Sequence, residues 1–339
     1  MGRRPPAVAR VLERVTKTAR EHEMFQPGDL VLVSCSGGPD SVCLLYSLFH
    51  LRRLFKIRLA VFHFDHRLRP DSAKDAAYVR RLTDRLKVPF HLRVADDRPT
   101  KGQSIEAWAT VSRMNAANEV RREIGASTWA EGHTLDDQAE TVLLNLIRGS
   151  GLEGIAGIYP GHRRSAIVQP LLGVERAEVE TFCRALHVRP RRDPMNDERR
   201  FLRAAIRHDV MPVLERATGR NVSAPIARTA QLLRADLHEL FAATVEAYRD
   251  VVDGRPAVDV RIDVAKLQEL PSAVASRVVR LAAYNVMSTD AASPWTKDAI
   301  EAVLDLAQGR PGRRRDLPLG LKAVREKEYV RVSRASPES

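Results

Sequence analysis

Cysteine is scarce in this chain. Cys35, Cys43 and Cys183 are the only three in 339 residues, odd in number, far apart and without a C-x-x-C pair. That argues against both a disulfide framework and a cysteine-based zinc site. Cys35 and Cys43 lie in apolar runs, where a thiol usually serves as a small core residue. Long hydrophobic runs are missing too: no window approaches the ~20 uncharged apolar residues that a membrane span needs. The N-terminal Met-Gly-Arg-Arg-Pro-Pro is basic, but no apolar signal core follows it, so the expectation is a cytoplasmic protein. Internal repeats are absent. The one biased tract, Arg310 and Arg313 to Arg315 among Gly and Pro, reads as a solvated loop or as a phosphate contact. Acidic residues fall short of basic ones, 43 against 55, giving a net charge of +12 and a pI near 10.0. A polyanionic partner, nucleic acid first, would benefit from that excess, although an Arg-rich composition alone would give the same figure.

What is present is a strand–helix alternation. Short β-branched runs at 29–34, 57–64, 89–95, 127–132 and 166–172 read as strands. Between and after them, 40–54, 72–87, 104–124, 135–148 and 175–187 carry helical spacing. The first helix, for example, places Val42, Leu45, Leu48 and Phe49 on one face. Strands alternating with helices predict a doubly wound, mostly parallel α/β sheet of Rossmann type. After residue 195 helical patterns dominate to 252. A Pro/Gly-punctuated break follows at 253–263, then helices at 265–288 and 297–308, a basic loop, and one or two short strands. The length suits two or three domains. The boundaries expected are 1–215 for an α/β domain, 216–255 for a helical linker region, and 256–335 for a small α+β end.

Chemistry concentrates at "SCSGGPDS". Ser36, Gly37, Gly38, Pro39, Asp40 and Ser41 join the first strand to the first helix. Glycines let backbone approach a ligand, Pro39 suits a first helical turn, and free N–H groups with two hydroxyls make an anion cradle. No Lys stands where a G-x-x-x-x-G-K-[ST] loop places one, so this is not a Walker A site. An aspartate in a phosphate cradle is repulsive unless a divalent cation bridges it, so Asp40 implies Mg²⁺. A hundred residues on, "EGHTLDDQAET" crowds Asp136, Asp137 and Glu140 into the first turns of a helix. Asp137 and Glu140, three apart, share a face. They could hold an ammonium group, or they could simply favour the helix N-terminus, where Thr134-x-x-Asp137 is nearly a capping box. His63 and His66 flank Asp65, a spacing open to metal ligation but more readily explained by hydrogen bonding.

The S-G-G-x-D-S loop resembles that of the PP-loop ATP pyrophosphatase family, whose members cleave ATP between the α- and β-phosphates. Within it the chain is most similar to the lysidine synthetases that modify tRNA(Ile). "VFHFDHRLRPDSAKDAAYV" resembles their H-x-D-H-x-L-R segment, and "GHTLDDQAETVLLNLIRGSGLEGI" their G-H-H-x-D-D-Q-x-E-T and R-G-S-G-L-x-G. "EAWATVSRMNAANEV" resembles E-x-x-A-R-x-x-R-Y. Residues 169–214 resemble R-P-L-L…R-x-E-I…D-x-S-N…F-x-R-N-x-I-R-x-x-x-x-P-x-L, with Asp193, Asn196, Phe201, Arg203, Ile206, Arg207 and Pro212 matching. The departures are Thr110, Met114, Thr134, Met195 and Ala204, where the pattern has Arg, Tyr, His, Ser and Asn.

The resemblance implies ATP-dependent joining of L-lysine to C2 of the wobble cytidine of a tRNA(Ile) with a CAU anticodon, releasing AMP and pyrophosphate. It implies ATP and Mg²⁺ at residues 36–41, with adenine near His63 and Gly132. Arg113 and His133 would serve catalysis with Asp40, Asp137 and Glu140 would bind lysine, and Arg203 and Arg207 would bind tRNA. A homodimer is compatible with the sequence. Two rivals share parts of this pattern. A tRNA thiolase normally uses paired cysteines, which three scattered ones do not supply. A degenerate, non-catalytic tRNA-binding homologue would explain the departures, but it needs neither the intact Ser-Gly-Gly-Pro-Asp-Ser nor Asp-Asp-Gln-Ala-Glu-Thr.

Overall fold

The computed structural model describes residues 4–100, 102–191, 202–255, 259–287 and 296–334. The chain divides into two compact units, Met1–Leu233 and Arg234–Ser339. The first unit is a parallel five-stranded sheet between helices. Its strands are β1 (Leu30–Ser34), β2 (Arg58–Asp65), β3 (Phe90–Val94), β4 (Thr128–Ala130) and β5 (Ile167–Val168), in the order β3-β2-β1-β4-β5. Val33 sits opposite Val61 on one side and Ala130 on the other. Both faces of β1 are buried, as a central parallel strand requires. Val31 and Val33 point into one core with α1 (Pro6–Glu21), α2 (Pro39–Phe55), α3 (Ser72–Leu86) and α7 (Arg176–Ala185). Leu32 points the other way, against Ala117 and Val120 of α4 (Ile105–Glu123) and Trp129 of β4. The strand order reverses at β1 and β4, and the crevice beyond their carboxyl ends is where such sheets hold ligands.

Helix α1 lies outside the elements expected from the sequence. Its Val8, Val11, Leu12, Val15 and Ala19 repeat at three- and four-residue steps and are buried, although arginines crowd the same run. The fifth strand stops at Val168, short of the expected 172, because Pro170 has no N–H for the ladder. Leu171, Leu172 and Val174 are still buried, in a turn. The α5 (Leu135–Ile147) and α6 (Leu152–Ile155) helices follow β4. Beyond residue 201 the helical run is interrupted. After α8 (Leu202–Ala205) the backbone widens to a π-helical turn, Ile206–Val210, before α9 (Met211–Thr218). Pro212 has no N–H to give the carbonyl of His208, and the widened turn immediately precedes it. Helix α10 (Ser223–Val251) follows.

The second unit is an antiparallel sheet backed by helices. Its strands β6 (Val252–Arg255), β7 (Asp259–Asp263), β8 (Arg314–Leu317), β9 (Leu321–Arg325) and β10 (Tyr329–Arg334) run in the order β6-β7-β10-β9-β8. Alternate residues Val260, Ile262, Ala323, Val330 and Val332 pack under α12 (Ser272–Met287) and α13 (Lys297–Gln308). Pro271 separates the short α11 (Val264–Glu269) from α12, so the single helix expected at 265–288 is two. The chain ends in three strands rather than one or two. Arg314 and Arg315 belong to exposed edge strand β8 rather than a loop, and charge there opposes edge-to-edge pairing. No helix among the described residues is long and apolar enough to cross a membrane.

Candidate active site

The loop after β1 is built by its own side chains. Gly37 takes φ +95°, a conformation open to glycine, and an added Cβ would meet the Tyr78 ring at 3.3 Å. The backbone N–H of Gly37 donates to Ser41 Oγ at 3.1 Å, and Ser41 Oγ donates to the carbonyl of Gly38 at 3.0 Å. Ser36 Oγ lies 3.2 Å from Ser41 Oγ and accepts from the N–H of Gly38 at 3.4 Å. Gly38 is the N-cap of α2 with no side-chain cap, so the helix opens on uncapped N–H groups. Arg191 secures the loop from outside, its N–H donating to the carbonyl of Gly37 at 2.9 Å. Asp40 stands in the first turn of α2. Its Oδ1 is buried without a hydrogen-bond partner, and burial followed by the nearby Asp137 carboxylate pushes its pKa from 3.8 up to about 6. Gly132 abuts this turn: a Cβ there would lie 3.2 Å from the Asp40 carbonyl.

A cavity of about 560 Å³ opens over this loop at the carboxyl ends of β1, β2 and β4. Ser36, Gly38, Asp40, Ser41, His63, Arg113, Gly132, His133, Asp137, Arg203 and Arg207 all line it. His63 is buried and its Nδ1 is 2.8 Å from the carbonyl of Cys35. A carbonyl only accepts, so Nδ1 carries the hydrogen and Nε2 is left as an acceptor. Burial also lowers the pKa of this imidazole, which favours the neutral ring. The neighbouring Asp65 is spent on the loop itself, accepting the N–H of Arg67 at 2.8 Å.

Across the cavity, Gln169 joins two site residues. Its Nε2 donates to Glu131 Oε2 at 3.2 Å, while its Oε1 lies 3.0 Å from His133 Nδ1. The amide can satisfy both only one way, so His133 carries its hydrogen on Nδ1 and keeps a lone pair on Nε2 when neutral. Glu131 is buried and also pairs with Arg113. Burial would raise its pKa, but Arg113 and then His133 outweigh that and leave it lowered. Arg113 therefore points into the site as half of an ion pair.

Beneath this lies a cluster of carboxylates and arginines. Thr134 caps α5, accepting from the N–H of Asp137 at 3.4 Å, and its hydroxyl donates to Asp137 Oδ2 at 2.8 Å. Thr134, which replaces the imidazole of the resembling pattern, thus aims a carboxylate. Asp137 meets Arg176, Arg203 and Arg207 at 3.1, 3.4 and 3.3 Å. Glu140 meets the same three at 3.2, 3.2 and 2.7 Å. Burial would raise the pKa of Asp137; Arg203 and Arg176 outweigh it and hold it at about 2. Asp136 instead anchors structure, accepting from the N–H of Arg176 at 2.8 Å and from Ser223 Oγ at 3.2 Å. Asp40, Asp136, Asp137 and Glu140 interact with Arg176, and Arg207 with most of them, so four carboxylates face three guanidinium groups. One negative charge remains when all are ionised.

Of the residues assigned to the site from the sequence, Gly37, Pro39 and Glu140 do not line the cavity, while the others among the described residues do. Arg203 and Arg207, which the resemblance would give to tRNA, are engaged by Asp137 and Glu140. Glu140, 1% exposed, sits behind those guanidinium groups and does not line the cavity wall. Asp193, Met195, Asn196 and Phe201 lie outside the described residues. Glu131, Gln169, Arg176 and Arg191 also build the site, and all four stand inside the segments quoted above. No group of three His, Cys, Asp or Glu among the described residues could by itself hold a metal ion, so His63 and His66 form no such site. All three cysteines are buried and free. Burial pushes the Cys35 thiol up to about 11 and Cys183 to about 12, so no thiolate serves the site at neutral pH.

Comparison with known proteins gives a consistent result. A family profile described as a PP-loop domain matches residues 8–214. A tRNA(Ile)-lysidine synthase of Symbiobacterium thermophilum is 36% identical over 340 aligned positions, covering 97% of this chain and 70% of that one. A tRNA(Ile)-lysidine synthase of Thermobifida fusca is 34% identical, covering 92% of this chain and 96% of that one. Among solved structures, the U34-tRNA thiolase NcsA of Methanococcus maripaludis superposes with a TM-score of 0.57 at 18% identity, over 67% of this chain and 79% of that chain. At that identity the likeness is one of fold.

Proposed function

The chain belongs to the tRNA(Ile)-lysidine synthase family, built on a PP-loop ATP-using domain, and from that premise we propose that it joins L-lysine to C2 of the wobble cytidine in a tRNA(Ile) bearing a CAU anticodon. The observation that carries the reading is the single cavity that brings a phosphate cradle, a tautomer-fixed imidazole and a cluster of carboxylates and arginines within reach of one another.

In the first step the C2 oxygen of cytidine attacks the α-phosphorus of ATP. A P–O bond forms, the α–β anhydride bond breaks, and pyrophosphate leaves. The N–H groups of the Ser36–Ser41 loop and the amino end of α2 hold the phosphates, and Nε2 of His63 accepts from an amino group of the purine. Arg113 offsets the charge growing on the α-phosphate, where a fixed cation is worth several kcal/mol. The residues present fit Mg²⁺ in one way. Asp40 offers a buried carboxylate oxygen with no other partner, and Mg²⁺ takes one or two carboxylates and completes its shell with water and substrate phosphates. Asp40 would hold it there, and its charge would neutralise that of the phosphates.

In the second step the ε-nitrogen of lysine attacks C2, the C–N bond forms, the C–O bond breaks, and AMP departs. Nε2 of His133 takes the proton that the amine must lose. Asp137 and Glu140 receive the ammonium form of lysine beforehand, the arginines yielding to it. A guanidinium released in that exchange, from Arg203 or Arg207, is then free to meet the tRNA backbone.

The test is direct. The protein is mixed with ATP, Mg²⁺, radiolabelled lysine and unmodified tRNA(Ile) with a CAU anticodon. Label on the tRNA that disappears in Asp40→Ala is expected. No label, beside a working control enzyme, would refute the activity, and label unchanged in Asp40→Ala would refute the site.

A further inference from the structure

A second concavity lies at the opposite end of the sheet from the cavity above, and the reaction has no use for it. It is formed where α2 and α3 end and β2 begins. Arg52, Arg53, Lys56, Arg58, Arg85 and Lys87 line it around an apolar floor of Ile57 and Leu59, and no acidic residue lines it. Two of the cations are fixed in place. The Arg52 guanidinium stacks 3.7 Å over the Phe49 ring, and Arg85 donates to the hydroxyl of Tyr46. The other four, Arg53, Lys56, Arg58 and Lys87, are exposed and make no ion pair among the described residues. Asp84, the carboxylate nearest to Lys87 in sequence, does not line the concavity.

Helix C-termini favour cations, which accounts for part of this collection. Two such termini supply only about one negative charge together, however, against six positive ones. Arg58 lies on a strand and has no helix end to serve. Like charges gathered on a rigid floor repel one another, and the arrangement becomes favourable when an anion with several charges lies across it.

We propose that this concavity binds the phosphate backbone of the substrate tRNA, away from the anticodon loop. The proposal rests on the reading that the chain acts on tRNA. β2 connects the two sites: Arg58 starts it and Asp65, at the main cavity, ends it. Seven steps of strand put them roughly 23 Å apart. A tRNA whose wobble base enters the main cavity would reach the basic concavity with a part of its backbone about that far from the base.

The experiment compares the wild-type full chain with Arg53→Ser/Lys56→Asn/Lys87→Asn. Asparagine is chosen because Lys56 and Lys87 have φ of 55° and 54°, a backbone conformation it tolerates. Binding is measured by fluorescence anisotropy across a salt series with two RNAs, whole unmodified tRNA(Ile) and its isolated anticodon stem–loop. The expected result is a loss of roughly tenfold or more in affinity for whole tRNA at physiological salt, with a salt slope shallower by about two to three. Affinity for the stem–loop should be unchanged, as should labelling by lysine at saturating tRNA. Equal affinity and slope for wild type and variant on whole tRNA overturn the proposal alone. A variant that loses binding to anionic phospholipid vesicles while keeping tRNA affinity also overturns it, in favour of a membrane surface. A wild type that ignores tRNA altogether overturns the underlying reading and the proposal together. A charge-keeping Arg53→Lys variant should bind as wild type does, which separates loss of charge from loss of fold.

Discussion

Replacing Asp40 with asparagine should make the free protein more stable and the enzyme inactive, with a pH signature that identifies the cause. In the folded chain burial and Asp137 raise the pKa of Asp40 from 3.8 to about 6. The folded state therefore holds a proton that the unfolded state has released, so stability falls as pH rises between those values. That rise corresponds to about 3 kcal/mol at most. The side chain is partly exposed, and solvent screening reduces the figure to about 1–2 kcal/mol. Asparagine is neutral at every pH. Below about pH 4 the aspartate is neutral too, and the variant should gain nothing. Above about pH 7 the gain should be complete, raising the melting temperature by about 4 °C for a unit of this size. Asp137, held at about 2, contributes the opposite slope, but it does so in both proteins and cancels in the difference. The measurement is thermal or urea unfolding by circular dichroism from pH 4 to pH 8, with and without MgATP. MgATP should stabilise wild type and not the variant. A variant less stable than wild type at pH 8, or a difference that does not vary with pH, would refute the reasoning.

Three further substitutions probe the rest of the site. Arg113→Ala should destabilise by about 3 kcal/mol in urea unfolding, because Glu131, only 6% exposed, keeps a charge without its main partner. Adding Glu131→Gln should restore most of that stability while ATP-dependent pyrophosphate release stays lost; recovery of both would exclude Arg113 from catalysis. Glu140→Gln should raise the KM for lysine roughly tenfold with the KM for ATP unchanged, since it weakens only the cation-binding cluster. An unchanged lysine KM would remove Glu140 from that role. Gly132→Ala places a Cβ 3.2 Å from the Asp40 carbonyl and should weaken ATP binding about tenfold by calorimetry while the circular dichroism spectrum stays native. Full affinity would show that the first turn of α2 gives way freely.

The amino-acid sequence by itself determined the alternation of strand and helix, the phosphate cradle and the position of the acidic turn after β4. These are local properties. Period-2 and period-3.6 patterns, a Gly-Gly-Pro turn and carboxylates near a helix start depend on residues a few places apart. Other features are just as local: the three- and four-residue repeat of α1 beneath its arginines, the stop at Pro170 and the break at Pro271. Partnership was decided only in three dimensions. Gln169 reaches back 36 positions to set the hydrogen on His133, and Arg207 reaches back 67 to Glu140. Arg203 and Arg207 stand four residues apart in the sequence, but only the fold shows that buried carboxylates claim them. A charge buried at the end of a strand must find its counter-charge wherever the fold brings one. The same holds for the basic concavity, whose six cations come from two helix ends and a strand. They appear in the sequence as two ordinary charged stretches, and only the packing of α2 and α3 beside β2 turns them into one surface.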